Sequence, residues 1–342
     1  MSWHDYRGGR LYCGDALAAL SSLPDNCAGG VVTDPPYGIN MSMRKSWDSA
    51  LPDSAIWREL LRVCRPGAHA VVFSSNRTIH RLAVAMEDQG WQIRDQIQWI
   101  RYLGFPKSLQ LDKQPESAAT HPGYGTALKP TAEPALLLRA PLQDTIARTA
   151  RDHGTGGLNI AATRFKPGDP AWIGPAYDLT ERNNQDCGGR GIYSEGLSHY
   201  RAQPDPGGRW PSNVYQSPKA NRPEREQYCE GLPLYSRTDI TGRTEGNEGV
   251  KHGRAGVIRQ GKFRNPHPTV KPRRLMRWLL RLVSPPSSYG LPILDPFCGS
   301  GTTALAGLEE RIPIWSCELD PEFQHLILHR LNNATRQGEL FG

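Results

Sequence analysis

Short apolar runs and helically spaced apolar residues alternate along most of the chain. The runs at 31–33 and 70–73 are continuous, which is typical of buried strands. Between such runs, Leu17, Leu20 and Leu23 recur at the spacing of one helix face. Short strands alternating with helices of about 10–13 residues predict an α/β fold with a mostly parallel sheet. The predicted strands are 10–13, 31–33, 70–73, 96–101, 135–138, 292–294 and 312–317, and the predicted helices are 15–23, 54–64, 78–89, 271–283, 302–310 and 321–332.

This regular alternation stops in the middle of the sequence. Residues 141–264 contain one predicted helix, at 143–151, followed by glycine-rich turn sequences near 153–157, 187–189 and 206–208. We therefore predict one α/β domain, formed by residues 1–140 together with 265–342, and an inserted region of loops and short strands at 141–264.

The composition is that of a globular protein and indicates a cytoplasmic location. Of the 342 residues, 38% are hydrophobic and 22% are charged, and no run approaches the roughly 18 apolar residues of a membrane span. The first ten residues lack the apolar core of a signal peptide, and the seven cysteines form no C-x-x-C pair. These features predict a cytoplasmic protein without a membrane span, a disulfide framework or a metal site.

Positive charge is concentrated in the middle of the chain. The net charge is +7, from 41 Lys and Arg against 34 Asp and Glu. Residues 139–274 hold 22 basic and 14 acidic side chains, and from Lys251 to Arg281 there are ten basic residues and no acidic one. This distribution favours a polyanionic partner, although a solvated basic face explains the charge alone equally well.

A glycine turn near the C-terminus joins a predicted strand to a predicted helix. The strand ends at Asp295, the turn contains Gly299 and Gly301, and Glu318 ends the following strand, where it could accept hydrogen bonds from ribose hydroxyls. Glycines allow a ligand close to the backbone, and a helix N-terminus is electropositive. The pattern G-x-G-x-x-A therefore indicates a nucleotide-like ligand, with a plain strand–helix turn as the alternative. Only about forty residues follow, too few to complete a nicotinamide dehydrogenase domain.

A second motif follows the predicted strand at 31–33. The sequence Asp34-Pro35-Pro36-Tyr37 delivers a carboxylate into a stiff turn, because each proline fixes its own φ. A carboxylate and the Pro35 carbonyl that converge on one point suit a substrate NH₂ group with two protons to donate. The Tyr37 ring offers a face on which a planar ring could stack.

With both motifs in hand, the chain resembles the amino-group DNA methyltransferases. The order of the motifs, catalytic first and cofactor last, is similar to that of their β group. The resemblance is close over residues 10–38 and 265–330 and looser over 54–140, and the segments 128–134 and 208–213 resemble phage- and prophage-borne members. It implies a circularly permuted Rossmann-like methyltransferase sheet with helices on both faces. The insert at 141–264 is then the target-recognition region.

The resemblance also implies roles for individual residues. S-adenosyl-L-methionine is the implied cofactor, with Asp15 near its adenine and the segment from His267 to Lys271 near its methionine part. Trp210 and the basic residues after position 250 are predicted DNA contacts, although Trp210 could equally belong to a small core of the insert. The predicted site residues are Asp34, Pro35, Pro36 and Tyr37 for catalysis; Asp15, His267, Thr269, Lys271, Asp295, Phe297, Gly299, Ser300, Gly301, Thr302, Thr303 and Glu318 for the cofactor; and Trp210, Lys251, Arg254, Arg259, Lys262 and Arg264 for DNA.

The implied reaction is direct methylation of an amine in double-stranded DNA. Acceptance of both N–H bonds, at Asp34 and the Pro35 carbonyl, would concentrate electron density on an otherwise delocalised nitrogen. Positioning for in-line transfer can supply roughly 7–11 kcal/mol of the barrier reduction. The base must first be flipped out of the duplex, at a cost of a few kcal/mol. Stacking on Tyr37, worth about 1–3 kcal/mol, would offset part of that cost.

The choice of amine and the biological setting remain open at this point. Asp34 favours adenine N6, because family members that act on cytosine N4 more often carry Ser at this position. A non-catalytic DNA-binding protein and a dehydrogenase are weaker alternatives, since both leave the Asp34–Tyr37 motif unexplained. A bacterial or phage-encoded cytoplasmic enzyme of restriction-modification type is expected, and the resemblance is compatible with a homodimer and with a cognate restriction nuclease.

Overall fold

The protein, seen as a computed structural model, is described at residues 2–39, 48–101, 104, 108–166, 168–171, 207–236 and 262–337. Its strands are β1 (Trp3–Tyr6), β2 (Gly9–Cys13), β3 (Ala28–Thr33), β4 (Cys64–Phe73), β5 (Gln92–Ile100), β6 (Ala132–Arg139), β7 (Val214–Gln216), β8 (Ile293–Asp295) and β9 (Ile314–Glu318). Its helices are α1 (Ala16–Ser21), α2 (Ser54–Val63), α3 (Ile79–Glu87), α4 (Ile146–His153), α5 (Ile160–Thr163), α6 (Arg222–Glu226), α7 (Arg273–Val283), α8 (Thr302–Glu310) and α9 (Pro321–Arg336). No helix in these ranges is long and apolar enough to cross a membrane.

The strands form one mixed sheet in the order β1-β2-β9-β8-β3-β4-β6-β5-β7. Strands β1 and β6 run opposite to the other seven. The predicted α/β class with a mostly parallel sheet is therefore confirmed. Carboxyl ends of seven strands meet at one edge of the sheet, and because β6 is reversed, its first residues lie at this same edge.

Alternate residues of the central strands enter different cores, as the period of a strand requires. Val31 of β3 and Val72 of β4 pack with α1, α2 and α3 on one face, whereas Val32 and Val71 pack with α7 on the other. Leu275, Leu279, Leu282 and Val283 of α7 are all buried, as their helical spacing predicts. Helices thus cover both faces, which leaves the strand ends as the open part of the sheet.

Several boundaries differ from the sequence prediction. Strand β4 begins at Cys64, six residues before the predicted strand, because its first half pairs with β3 around a bulge. The edge strands β1 and β7 were not predicted. Strand β1 is largely polar and β7 has only three residues, so neither carries a period that is recognisable in the sequence.

Parts of the segment 141–264 pack directly on this fold. Strand β7 pairs in parallel with β5. Phe165 stacks on Trp278 of α7 with ring centroids 5.9 Å apart, and Tyr215 lies 4.9 Å from the same ring. The Trp278 indole also donates to the Thr163 carbonyl at 3.1 Å. Phe165 and Tyr215 are thus part of the main core, and the target-recognition role of the segment stays a prediction.

Candidate active site

The two motifs meet at the carboxyl ends of neighbouring strands. Strands β3 and β8 are parallel, with Val31 opposite Leu294. Just beyond this pair, the Thr33 hydroxyl donates to Asp295 Oδ1 at 2.7 Å. This hydrogen bond is buried and joins two residues 262 positions apart in the sequence. The turn that begins at Asp34 and the glycine turn that follows Asp295 are therefore held side by side.

A group of buried polar side chains surrounds Asp34. The Tyr37 hydroxyl lies 2.5 Å from Asp34 Oδ1 and 2.8 Å from Glu133 Oε1. The Lys271 ammonium forms ion pairs with Asp34 and, at 2.9 Å, with Glu133, and it donates to the Tyr37 hydroxyl at 3.1 Å. Arg101 binds the other Glu133 oxygen at 3.0 Å. We refer to Asp34, Tyr37, Glu133, Lys271 and Arg101 as the Asp34 cluster.

Burial and the charges of neighbouring groups determine the pKa values in this cluster. Burial raises the pKa of Asp34, and the Glu133 charge raises it further, while the Lys271 ammonium opposes both. Burial also acts to raise the pKa of Glu133, but Lys271 and Arg101 outweigh it, so this pKa is lowered. The pKa of Tyr37 is well above its usual value, because of burial and the two adjacent carboxylates. Glu133 is thus the more firmly ionised of the two carboxylates.

A further carboxylate fixes the backbone of the turn. Asp48 is buried, and its Oδ1 accepts the Tyr37 N–H at 2.8 Å and the Gly38 N–H at 3.1 Å. Two charge-assisted hydrogen bonds to consecutive amides hold the loop after Pro36 in one conformation. The turn therefore owes its shape to Asp48 as well as to its prolines.

The glycine turn is shaped by backbone conformation. Gly299 and Gly301 both have positive φ, at 57° and 78°. A Cβ at Gly299 would lie 2.7 Å from His267 Nε2, and one at Gly301 would lie 3.1 Å from Ile327. The sequence suggests that glycine is needed here because a ligand approaches the backbone closely. In the structure, their neighbours are protein atoms, and the left-handed conformation is itself sufficient reason for glycine.

The acidic residues predicted to bind the cofactor lie at adjacent strand ends. Asp295 is buried, and burial raises its pKa to about 6. Glu318 accepts the Gly299 N–H at 2.8 Å and the Asp320 N–H at 2.9 Å, and burial raises its pKa to about 7. Asp15 lies just beyond Cys13, which pairs with Glu318, and its side chain caps α1 through the Ala18 N–H. All three carboxylates therefore lie at the same edge of the sheet as Asp34.

The remaining predicted cofactor residues surround the glycine turn. The His267 ring packs edge-on against Phe323 at 4.6 Å, and its Nδ1 accepts the Thr269 N–H at 3.4 Å. The Phe297 N–H donates to Asp295, and the Ser300 and Thr302 hydroxyls lie 3.1 Å apart. Thr303 is buried, and its side chain acts to lower the pKa of Asp295, against the larger effect of burial. The cofactor contacts predicted for all of these residues, and for Lys271, stay predictions.

The predicted DNA-binding residues are only partly described. Trp210 is 64% exposed, and the Arg164 guanidinium lies 5.3 Å from its ring centroid, so Trp210 is not part of a buried core. Lys262 is exposed, whereas Arg264 is half-buried beside Glu226, which accepts its N–H at 2.7 Å. Lys251, Arg254 and Arg259 lie outside the described residues.

Sequence reasoning missed Glu133, Arg101 and Asp48. A strand was predicted at 135–138, but its direction was not, and the reversal of β6 is what brings Glu133 to the strand ends. Asp48 lies fourteen residues beyond Asp34 with no periodic sequence pattern between them, so no local signal predicts that they lie close together. Within the described ranges, no group of three or more His, Cys, Asp or Glu side chains could hold a metal ion.

Comparison with known proteins gave one family match and several structural neighbours. A family model of N6 and N4 methyltransferases, described as DNA methylase, matches residues 29–329. The PvuII DNA methyltransferase, which is cytosine-N4-specific, has a similar structure with a TM-score of 0.51 at 14% identity, over 98% of this chain and 93% of that chain. This similarity supports the fold, a Rossmann-like sheet.

Two other solved structures are more distant in shape. The complex of M1.HpyAVI with SAM has a TM-score of 0.44 at 17% identity, over 94% of this chain and 98% of that chain. The Thermus thermophilus protein TTHA0409, complexed with S-adenosyl-L-methionine, has a TM-score of 0.46 at 17% identity, over 95% of this chain and 94% of that chain. A sequence comparison with curated proteins gave no match.

Proposed function

We propose that this chain, which belongs to the DNA methylase family of N6 and N4 methyltransferases, transfers a methyl group from S-adenosyl-L-methionine to the N6 amino group of adenine in double-stranded DNA. The observation that carries the proposal is the hydrogen bond from Thr33 to Asp295. It fixes the amine-accepting turn next to the glycine turn. An acceptor for a substrate amine and a site for a nucleotide-like methyl donor are thereby within reach of each other.

The Asp34 turn suits an amine with two protons. One N–H can be accepted by an Asp34 oxygen and the other by the Pro35 carbonyl, which follows in the same rigid turn. Asp48 holds the amides of Tyr37 and Gly38, so the acceptors need little rearrangement when the amine arrives. After transfer the nitrogen must lose one proton. Asp34 can accept it, since burial raises its pKa, with one N–H bond broken and one O–H bond formed at the carboxylate.

The residues at the neighbouring strand ends fit the proposed cofactor. Glu318 and Asp15 would accept hydrogen bonds from the nucleoside part, and the turn from Asp295 to Gly301 would pack against it. These carboxylates give the edge a negative potential that suits a ligand with a sulfonium and an ammonium group. When bound, S-adenosyl-L-methionine supplies a methyl group on a positively charged sulfur. The chain itself supplies the acceptors, the orientation and the exclusion of water.

The position of Asp34 supports the proposal that the target base is flipped out of the duplex. The Asp34 side chain is only 18% exposed, so an amine paired inside a duplex could not reach its carboxylate. Our proposed DNA contacts are the exposed ring of Trp210 and the basic side chains of the segment after position 250, namely Lys251, Arg254, Arg259, Lys262 and the half-buried Arg264. The association with a restriction nuclease, a dimeric state, a phage-borne origin and a cytoplasmic location stay predictions.

Cytosine N4 is the alternative target, because the family contains both activities and the neighbouring PvuII enzyme is cytosine-N4-specific. Asp34 favours adenine within this family resemblance. Expression in a methylation-free host, followed by long-read sequencing of the host DNA, distinguishes the two. We expect N6-methyladenine at one sequence context, and none in cells that express Asp34→Ala. Methylated cytosine at a defined context would overturn the choice of adenine.

A further inference from the structure

Two carboxylates in the Asp34 cluster share the same hydrogen-bond donors. Asp34 and Glu133 both contact the Lys271 ammonium, and both contact the Tyr37 hydroxyl, at 2.5 and 2.8 Å. A phenol has one proton, so Tyr37 donates to only one of the two carboxylates at a time. The cluster therefore has two arrangements, which differ in the carboxylate that accepts the Tyr37 proton.

The arrangement matters because the substrate needs an oxygen of Asp34. Lys271 already binds Asp34 Oδ2, and Tyr37 donates to Oδ1 in one of the two arrangements. In the other arrangement the Tyr37 hydroxyl donates to Glu133, and Oδ1 is available to the incoming amine. An acceptor released in this way also gains charge density, since one fewer proton is shared with it.

We propose that Glu133 is a positioning residue for methyl transfer: it binds Lys271 and accepts the Tyr37 hydroxyl, which releases Asp34 Oδ1 to the target amine. This inference rests on the proposed function, because it assumes that an amine binds Asp34. Glu133 acts through Tyr37 and Lys271 and does not itself contact the substrate.

The position of Glu133 suits this role. It lies at the start of the reversed strand β6, opposite Trp99 of β5, so its backbone is fixed in the sheet. Arg101 binds its second oxygen at 3.0 Å, which keeps Glu133 ionised and leaves Oε1 directed at Tyr37 and Lys271. Its side chain is 14% exposed, so water competes little for these hydrogen bonds.

The proposal makes opposite predictions for two substitutions. The charged or titratable groups that act on Asp34 are Lys271, Glu133 and Tyr37, with Asp295 on the neighbouring strand, and Arg101 and Lys219 act on Glu133. The Glu133 charge raises the pKa of Asp34, whereas the Tyr37 hydrogen bond lowers it. Glu133→Gln should therefore lower this pKa, and Tyr37→Phe should raise it.

The test measures transfer of a tritiated methyl group from S-adenosyl-L-methionine to unmethylated plasmid DNA across a pH series. For Glu133→Gln we expect a single-turnover rate at least tenfold lower, unchanged cofactor affinity by calorimetry, and an acid limb of kcat/KM shifted to lower pH by about 0.5 unit or more. The acid limb of the kcat/KM profile of Tyr37→Phe should shift to higher pH. These opposite shifts would not arise from a general loss of packing.

Glu309→Gln is the matched control. Glu309 on helix α8 is 10% exposed and also binds two cations, Arg273 at 3.0 Å and Arg277 at 3.2 Å, neither of which belongs to the Asp34 cluster. It should lose stability without a change in transfer rate or pH profile. Should Glu133→Gln fail to fold, the shift in Tyr37→Phe decides the question alone.

A Glu133→Gln enzyme with wild-type rate and an unshifted limb would overturn the proposal, as would a Tyr37→Phe limb that stays in place or moves to lower pH. Failure of the proposed function looks different, because methyl transfer by the wild type would then be absent or would survive Asp34→Ala. The inference about Glu133 would fall with it.

Discussion

Replacement of Lys271 by methionine tests whether its ammonium stabilises the Asp34 carboxylate or contacts the methionine part of the cofactor. The Lys271 side chain is 7% exposed, and its ammonium contacts Asp34, Glu133 and Tyr37 and lies 4.6 Å from the Phe73 ring centroid. Methionine keeps the volume and removes the charge. The removal leaves two buried carboxylates, of which Glu133 keeps Arg101 and Asp34 keeps no cation in the cluster. Removal of one partner of a buried ion pair costs about 3–5 kcal/mol.

Protonation of Asp34 should relieve part of that cost. Lys271 is the main group that lowers the pKa of Asp34, so the pKa rises in Lys271→Met. The loss of stability should therefore be largest at alkaline pH and smaller at acidic pH, where Asp34 carries a proton in the folded variant. A protonated Asp34 no longer accepts the amine. Transfer at neutral pH should therefore be slower, by about tenfold for each unit by which this pKa exceeds the assay pH.

The assays are urea unfolding at several pH values, single-turnover methyl transfer, and calorimetric titration with S-adenosyl-L-methionine. Lys113→Met, an exposed lysine in a short turn, is the control for loss of a positive charge. The structure predicts that cofactor affinity changes by no more than a few-fold. A variant with near-normal transfer and much weaker cofactor binding would refute this account and support contact with the methionine part of the cofactor.

Three further predictions follow from separate features. Asp48→Ala removes the acceptor of the Tyr37 and Gly38 amides, so it should slow methyl transfer at least tenfold with unchanged cofactor affinity. The control Asp53→Ala removes the N-cap of α2 and should lower the free energy of unfolding by about 1 kcal/mol without changing the transfer rate. Gly301→Ala should lower the free energy of unfolding by about 1–2 kcal/mol in urea titrations, because φ of Gly301 is positive and Ile327 is close. The control Gly157→Ala, which has open space around its Cβ, should keep the wild-type stability, and equal stability of the two variants would contradict this reasoning. Replacement of Arg254, Arg259 and Lys262 by Gln should flatten the slope of log K for DNA against log salt by up to about 2.7, and an unchanged slope would mean that this basic run is only a solvated surface.

The sequence carried the main features of the fold because they depend on local patterns. The strand at 31–33 is mostly apolar, the helix at 302–310 has a run of small and apolar residues at 304–308, and each adjoins a motif with its own turn chemistry. Because carboxyl ends of parallel strands lie at one edge, the presence of Asp34 and Asp295 at this edge also follows from local information.

The parts that could not be predicted depend on strand direction and on loops. The reversal of β6 decides that Glu133, and not the far end of its strand, lies beside Asp34. The pairing of Lys271 with Asp34 joins residues that are distant in the sequence, and no periodicity encodes it. Phe165 and Tyr215 lie in a segment without regular pattern, yet they complete the core around Trp278. Such contacts arise only when the whole sheet has formed.

Methyl transfer to adenine is tested most directly by mass spectrometry of nucleosides from unmethylated DNA incubated with the purified protein and S-adenosyl-L-methionine. We expect N6-methyldeoxyadenosine with the wild type and none with Asp34→Ala. N4-methyldeoxycytidine as the product, or no methylated nucleoside from DNA that contains every short sequence context, would contradict it.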